Sequence, residues 1–409
     1  MRRKSTHIRL EEILFATVLN LNAIRFFLNI TESSAALYLL FALSIGIAFF
    51  KEKKVFARKD TIFVLPLMIG VAAYGTASIL WLKNGAYFEV IKLIISFLLF
   101  LYARAFSIKK TKRILIYSVA INLVYSLMIF MFPNRLMKYY YSGETNYLNM
   151  TLTLGFAMTV AFSYALCYAF STNQKKKAVL WLFIGALIML ACFRFTARGA
   201  ILLPVVCIAM LLLIIGGKRK TRFIVMTNIF IVIALLGIRY FLLHVGGYAA
   251  SRMTNLFTNV GEEDRLFLWK SAINSIISQK WYLLGGGVNA FKYTEIGFYP
   301  HNIILQVIGE YGFIGFLLLF YLVYGVTNHF FSATKRLDKR SITLEDSITV
   351  YVIFTGALYY FLTFNKSFSL YDSYALFLTF GLSIGASKSL LKQNKNGLYV
   401  IQQALIASN

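Results

Sequence analysis

The sequence predicts an all-α, polytopic integral membrane protein of about 12 transmembrane helices, with one long loop outside the membrane. Three observations carry this reading. Of 409 residues, 59% are hydrophobic and 14% charged, and the mean hydropathy is +0.69. A water-soluble domain of this size covers its core with a polar shell and has no use for that much apolar surface. The apolar residues fall in runs close to the roughly 20 residues that take a helix across a ~30 Å hydrocarbon layer. Finally, Lys and Arg gather in alternate connections, the signature of a chain threaded back and forth through a membrane.

The runs place helices at 13–30, 34–50, 61–82, 87–106, 114–132, 148–170, 178–193, 199–216, 223–245, 302–330, 348–366 and 372–390. Helices satisfy their own backbone in lipid, and the spacing does not suit barrel strands. The first two helices are joined by Thr31–Ser33, whose single acid is Glu32. The third follows KEKKVFARKD at 51–60. The fourth holds Glu89 and Lys92 one turn apart, which most simply pair with each other. KKTKR at 109–113 leads into the fifth, and the aromatic loop PNRLMKYYYSGETNY at 133–147 into the sixth. The tyrosines of that loop form an interfacial belt or stack on sugar rings, and the belt is the commoner use. KKK at 175–177, FTARGA around Arg198, and KRKTR at 218–222 set off the seventh, eighth and ninth helices. KRLDKR at 335–340 separates the tenth from the eleventh. Arg25 and Arg239, near outer helix ends, snorkel to the interface. Cys167, Cys192 and Cys207 fall within helices and read as packing residues, without a disulfide or metal framework.

The formal charge of +26 raises the question of nucleic acid. Of 42 Lys and Arg residues, 27 lie in seven segments: the amino terminus, 51–60, 109–113, 175–177, 218–222, 335–340 and the carboxy-terminal tail. The basicity is therefore a topological address and not a nucleic-acid footprint, with both termini in the cytoplasm. The first apolar run has no small-residue cleavage site and continues into a full span, so no cleavable signal is expected.

Topology places the polar stretch 246–300 on the outer face of the cell membrane. It carries Arg252, Glu262, Glu263, Asp264, Arg265 and Gly285-Gly286-Gly287. Leu266, Trp269, Ile273 and Ile276 recur at helical spacing, which predicts an amphipathic helix with acids at its start, lying on the outer leaflet or against the bundle. Trp281-Tyr282-Leu283-Leu284 brings the chain back to the interface, and the three glycines permit a tight turn or close backbone approach. A nucleotide loop lacks its strand-to-helix context here. His301 follows the extended pair Tyr299-Pro300 and opens the next helix, which contains Glu310 and Gly312. A histidine at such a boundary suits general base work, or simply starts a helix. Arg198, Arg265, Arg194 and Arg252 offer planar bidentate donors for phosphate oxygens, or anchor helix ends. No DxD pair appears, so a carboxylate-bound metal has little to build on.

TARGAILLP at 196–204, RLFLW at 265–269, GGGVNAF at 285–291 and HNIILQVIGEYGFIG at 301–315 together resemble the O-antigen ligase and O-antigen polymerase superfamily. The resemblance covers about residues 180–325 of the chain. It divides the chain into amino-terminal helices at 1–177, a ligase/polymerase-like region at 178–330, and carboxy-terminal helices with a tail at 331–409. It implies a GT-C-type glycosyltransferase acting without metal or other cofactor on a glycan carried by undecaprenyl diphosphate. His301 then corresponds to the base, and Arg198 and Arg265 to the arginines that hold the diphosphate, with Asn302, Arg252 and Arg194 as further substrate contacts. The partners implied are the lipid-linked glycan, membrane lipid, and the flippase and chain-length regulator of the same pathway. Some polymerases pair two outer loops in which an Arg is followed eleven residues later by Gly; neither Arg135 nor Arg265 has that partner. Polymerase and ligase differ in their acceptor, and the residues do not separate them. A flippase or exporter, the reading from another class, predicts two related halves and charges along a central cavity. This chain instead gathers its polar groups in one outer loop.

Overall fold

The computed structural model describes residues 10–21, 23–24, 35–51, 61–83, 86–132, 146–170, 174–193, 198–215, 264–335, 343–366 and 369–407. Among them every regular element is a helix. In chain order these are α1 (Leu10–Leu19), α2 (Ala35–Lys51), α3 (Thr61–Leu82), α4 (Tyr87–Ala103), α5 (Ile108–Met131), α6 (Asn146–Ala169), α7 (Lys175–Phe193) and α8 (Arg198–Ile215). They continue with α9 (Asp264–Ser278), the single turn α10 (Trp281–Leu284), α11 (Ile303–Thr334), α12 (Leu344–Phe364) and α13 (Tyr374–Ala407). Short 3₁₀ turns occupy Ala290–Tyr293 and Leu370–Asp372.

Six described segments are long and apolar enough to cross a membrane: Val64–Leu82, Ile108–Met131, Thr151–Ala169, Ile303–Thr334, Leu344–Phe364 and Tyr374–Gln393. Leu39–Phe50 and Gly199–Ile215 are shorter apolar helices. The chain is a multi-pass membrane protein. The predicted helix at 223–245 lies outside the described residues, as do the tyrosine-rich loop 133–145 and loop residues 246–263.

One core runs through the bundle, from Phe15 on α1 to Leu390 on α13. The windows of α6 and α13 are 83% buried against 33% for α3, so the first two are central and α3 is peripheral. Close packing at the centre depends on small residues. A Cβ on Gly381 would lie 2.5 Å from the Phe100 carbonyl oxygen, and one on Gly385 would lie 2.9 Å from that of Ala103. The backbone of α13 therefore rests directly on the end of α4. The three cysteines are buried and carry no disulfide.

Several helices start earlier than hydropathy predicts, and two of them take in basic residues. α5 begins at Ile108, where the Ser107 side chain accepts from Lys110 N at 3.4 Å, and α7 begins at Lys175. The basic residues 109–113 and 175–177, expected in loops, form first helical turns because carboxylates meet them. Lys110 Nζ lies 3.2 Å from Glu11 Oε2, and Arg113 Nη2 2.7 Å from Glu12 Oε1. Glu345, opening α12, contacts Lys112 and lies 2.7 Å from Lys177 Nζ. These pairs tie α1, α5, α7 and α12 at one end of the bundle. The expected Glu89–Lys92 pairing is corrected: Lys92 Nζ lies 3.3 Å from Asp372 Oδ1, joining α4 to the turn before α13.

Candidate functional site at the opposite end of the bundle

The start of α11 is built around a break. Gly312 takes φ 59° and ψ −145°, conformations outside a helix, and a helix bends sharply where its ladder is interrupted. The carbonyls just ahead of the break are met by the glycine loop: Gly286 N donates to Gly309 O at 2.7 Å, and Gly287 N to Glu310 O at 3.0 Å. Backbone lies on backbone. A Cβ on Gly285 (φ 84°) would sit 2.4 Å from Glu310 O, and one on Gly312 would sit 2.5 Å from Gly285 N. Phe291 fills the space over Gly309, where a Cβ would lie 2.2 Å from its Cζ. GGGVNAF and the glycines of HNIILQVIGEYGFIG are thus two halves of one contact. α3 supports the loop, since Tyr74 OH donates to Gly285 O at 3.0 Å and Val288 N donates to Ser78 Oγ at 3.1 Å.

A buried polar network lies beneath. Glu310 is fully buried, and its carboxylate accepts from Gln306 Nε2 at 3.1 Å and from the Tyr371 hydroxyl. Gln306 also donates to Ser369 Oγ at 3.2 Å and accepts from Leu370 N at 2.7 Å. Tyr311 and Tyr371 hydroxyls are 3.3 Å apart. Burial, reinforced by Glu310, pushes the Tyr371 phenol well above its ordinary range, so it stays a donor at neutral pH. A buried carboxyl group needs such partners, and here they lock the first turns of α11 to the α12–α13 connection.

His301 stands one residue before the cap, and α11 begins at Ile303, not at His301 as expected. Asn302 is the N-cap: its Oδ1 accepts from Ile304 N at 3.0 Å and Leu305 N at 3.1 Å. His301 has φ 52°, a left-handed backbone that costs a residue with a Cβ about 1–2 kcal/mol. Its half-buried ring lies 4.4 Å from that of Tyr299 and 5.6 Å from that of Phe298, both edge-on. The imidazole is therefore held between aromatic rings, on a strained backbone, at the mouth of the bundle. Strain of this kind gathers at functional positions.

Two arginine blocks meet at this end. Arg265, on the first turn of α9, donates from Nη1 to the carbonyl of Lys366 at 2.8 Å. Arg198 is the first residue of α8, and a Cβ on its neighbour Gly199 would lie 3.4 Å from Lys366 Nζ. Arg194 and Arg252 lie outside the described residues. Lys366 was not singled out from sequence, because it sits alone after an apolar helix and its neighbours come from distant segments. Among the described residues no three His, Cys, Asp or Glu side chains gather as a metal site would require.

Residues 184–320, roughly a third of the chain, match the family model described as O-antigen ligase. That region is similar to the O-antigen ligase family, which supports a relation to the O-antigen ligase/polymerase superfamily. Among curated proteins none matches it. The members of this superfamily are glycosyltransferase-like enzymes that handle lipid-linked glycans in a membrane.

The O-antigen ligase match holds His301, Arg265, Arg198 and both halves of the glycine contact, while Tyr371, Asp372 and Lys366 lie beyond it. Inside the match, α9 is the helix expected from Arg265 onward, but its buried stripe differs. Leu268, Ala272 and Ile276 pack on Leu305 and Ile308 of α11, whereas Leu266 and Ile273 are exposed together with Phe267 and Ile277. The helix is apolar on two sides. Of the predicted stripe, Ile276 is buried and Trp269 half-buried, while Leu266 and Ile273 are exposed, so the buried face is rotated toward Leu268 and Ala272. The Trp281 ring meets Phe291 edge-on at 5.4 Å and closes this small core.

Proposed function

We propose that this protein joins undecaprenyl-diphosphate-linked oligosaccharide repeat units into a capsular, exopolysaccharide or O-antigen chain on the outer face of the bacterial cell membrane. The chain crosses the membrane about 12 times in a GT-C-like arrangement, with both termini in the cytoplasm. The observation that carries this reading is the meeting of separate motif blocks at one end of the bundle. His301 lies at the start of α11, while Arg265 and the first turn of α8 come together at Lys366. The opposite end holds the ion pairs of the basic segments 109–113 and 175–177, which the topology rule assigns to the cytoplasm.

In this reading His301 accepts the proton of an acceptor sugar hydroxyl as its oxygen attacks the anomeric carbon of the donor. The bond from that carbon to the diphosphate oxygen breaks, and undecaprenyl diphosphate leaves with the bonding pair. Arg198 and Arg265 meet the charge that grows on the leaving group. No metal or other cofactor takes part. Asn302 fixes the backbone that presents His301. The exposed apolar side of α9 lies against lipid and guides the polyprenyl chain.

A second reading, favoured by the family description, is transfer of a finished glycan to a core lipid or another surface acceptor. Purified protein incubated with lipid-linked repeat units alone separates the two. Laddering without added acceptor is the expected result. Reaction only after a core lipid is supplied makes the protein a ligase, and no glycosyl transfer with either acceptor removes both readings.

A further inference from the structure

Phe298 is a ring left out of the packing beside the candidate base. It is 44% exposed, yet the chain on either side of it is pinned. Ile296 is buried in the small core with Ala272, Ile276 and Phe291. Gly297 N donates to Thr294 O at 3.0 Å, and Pro300 is buried with its φ fixed by the pyrrolidine ring. The Phe298 ring stands 5.6 Å from the imidazole of His301 at 66°, and 6.5 Å from the Tyr299 ring at 84°. Tyr299 is half-buried and closer to the imidazole, at 4.4 Å. Of these two rings, Phe298 is therefore the one that presents its surface to a ligand. The space beside it is open, since a Cβ on Gly297 would meet nothing within 4 Å.

An exposed phenyl ring forgoes the free energy of burial, and in a membrane protein its ordinary use is to lie in lipid. The surroundings of Phe298 do not suit that use, because His301 and Asn302 next to it are polar and half-buried at the mouth of the bundle. A pyranose fits the combination. It has an apolar face of C–H bonds and a rim of hydroxyls. The negative face of an aromatic ring attracts such C–H groups. The rim hydroxyls then project sideways, toward a neighbour standing edge-on to the platform. A base must come within about 2.6–3.2 Å of the proton it takes, and the imidazole is the group placed beside the ring to do so. We propose that Phe298 is the stacking platform for the acceptor sugar, the one whose hydroxyl His301 deprotonates; this rests on the polymerase reading given above. Because the segment is pinned on both sides of Phe298, the sugar is oriented before it reacts.

The test uses the full-length protein in nanodiscs. The probe is the repeat-unit oligosaccharide that mild acid releases from the lipid-linked units of cells lacking the protein. Saturation-transfer NMR follows its binding, and transfer from the intact lipid-linked unit gives its KM as acceptor. Phe298→Leu keeps an apolar side chain for lipid but loses the aromatic face, and should weaken binding and raise that KM about 3- to 10-fold. Phe298→Tyr keeps the face and should shift both by less than about twofold. Circular dichroism checks folding, and Phe298→Met is the second non-aromatic variant if leucine impairs it. Parent-like affinity and KM in the non-aromatic variants make the ring a lipid anchor, which overturns the platform and leaves the polymerase reading standing. A loss in Phe298→Tyr as large as in Phe298→Leu also overturns it, because the aromatic face is still there. A parent protein that neither binds nor extends the oligosaccharide removes the polymerase reading, and this inference with it.

Discussion

Alanine at Gly285 and at Gly297 forms a paired experiment on the contact between the glycine loop and α11. Both glycines have positive φ, 84° and 69°, so each substitution is strained, and at Gly285 ψ is 161°, a region essentially reserved for glycine. At Gly297 nothing lies within 4 Å of the new Cβ, and the cost ends there. At Gly285 the Cβ would lie 2.4 Å from Glu310 O and 2.6 Å from Glu310 C, which are main-chain atoms that cannot rotate away. The loop must lift, and the bonds from Gly286 N to Gly309 O and from Gly287 N to Glu310 O lengthen with it. At about 0.5–1.5 kcal/mol for each bond, Gly285→Ala should cost about 1–3 kcal/mol more than Gly297→Ala. Thermal denaturation of the two purified variants in the same detergent measures the difference, and glycan ladders from cells measure its effect on output. Gly285→Ala should melt lower and lose polymer, while Gly297→Ala keeps it. Equal melting temperatures for the two variants would refute the docking argument.

His301→Asn preserves a residue type that tolerates left-handed backbone, so the protein should accumulate normally while long-chain glycan disappears and single repeat units remain; a normal ladder would sink the base assignment. Arg265→Lys cannot keep the fork geometry that reaches the Lys366 carbonyl, and donor kcat/KM should fall about tenfold or more; unchanged saturation kinetics count against the diphosphate role. Tyr371→Phe leaves the fully buried Glu310 carboxylate without its hydroxyl donor and should cost about 1–3 kcal/mol in thermal or chemical unfolding. At the other end, Arg113→Met removes two hydrogen bonds to Oε1 of the fully buried Glu12 and should cost about 1.5–3 kcal/mol. Lys177→Met, whose pair with Glu345 is 45% and 40% exposed, should cost under about 1 kcal/mol. Similar losses for these two lysine and arginine variants would show that burial does not set the strength of the basic-end pairs.

The six described spans were legible because lipid imposes a length and a hydropathy that no tertiary contact can disguise. Their polar ends were not. Hydropathy scores Lys110, Arg113 and Lys177 as loop, and only the positions of Glu11, Glu12 and Glu345 turn those residues into helical first turns. Close backbone approach was legible in three consecutive glycines, but the partner was not, since Gly312 looks like any helical glycine until its φ is known. Glu89 and Lys92 make a natural pair by spacing, yet Asp372 reaches Lys92 from far along the chain. Lys366 and Tyr371 escaped for the same reason: each acts through residues that sequence distance hides. The blocks that hold His301, Arg265 and Arg198 stood out because their order and spacing resemble a known family.

The break at Gly312 has a consequence for how His301 is held. Were α11 continuous, the bearing of His301 would be dictated by the long membrane-spanning part of that helix, and so by every side chain packed along it. Because the turns ahead of the break are clamped by Gly285–Gly287, Phe291 and the Glu310–Tyr371 bond instead, that end is mounted on the loop and merely jointed to the span. Changes in loop length or in the residues around Phe298 and Tyr299 can swing the imidazole while the transmembrane packing stays as it is.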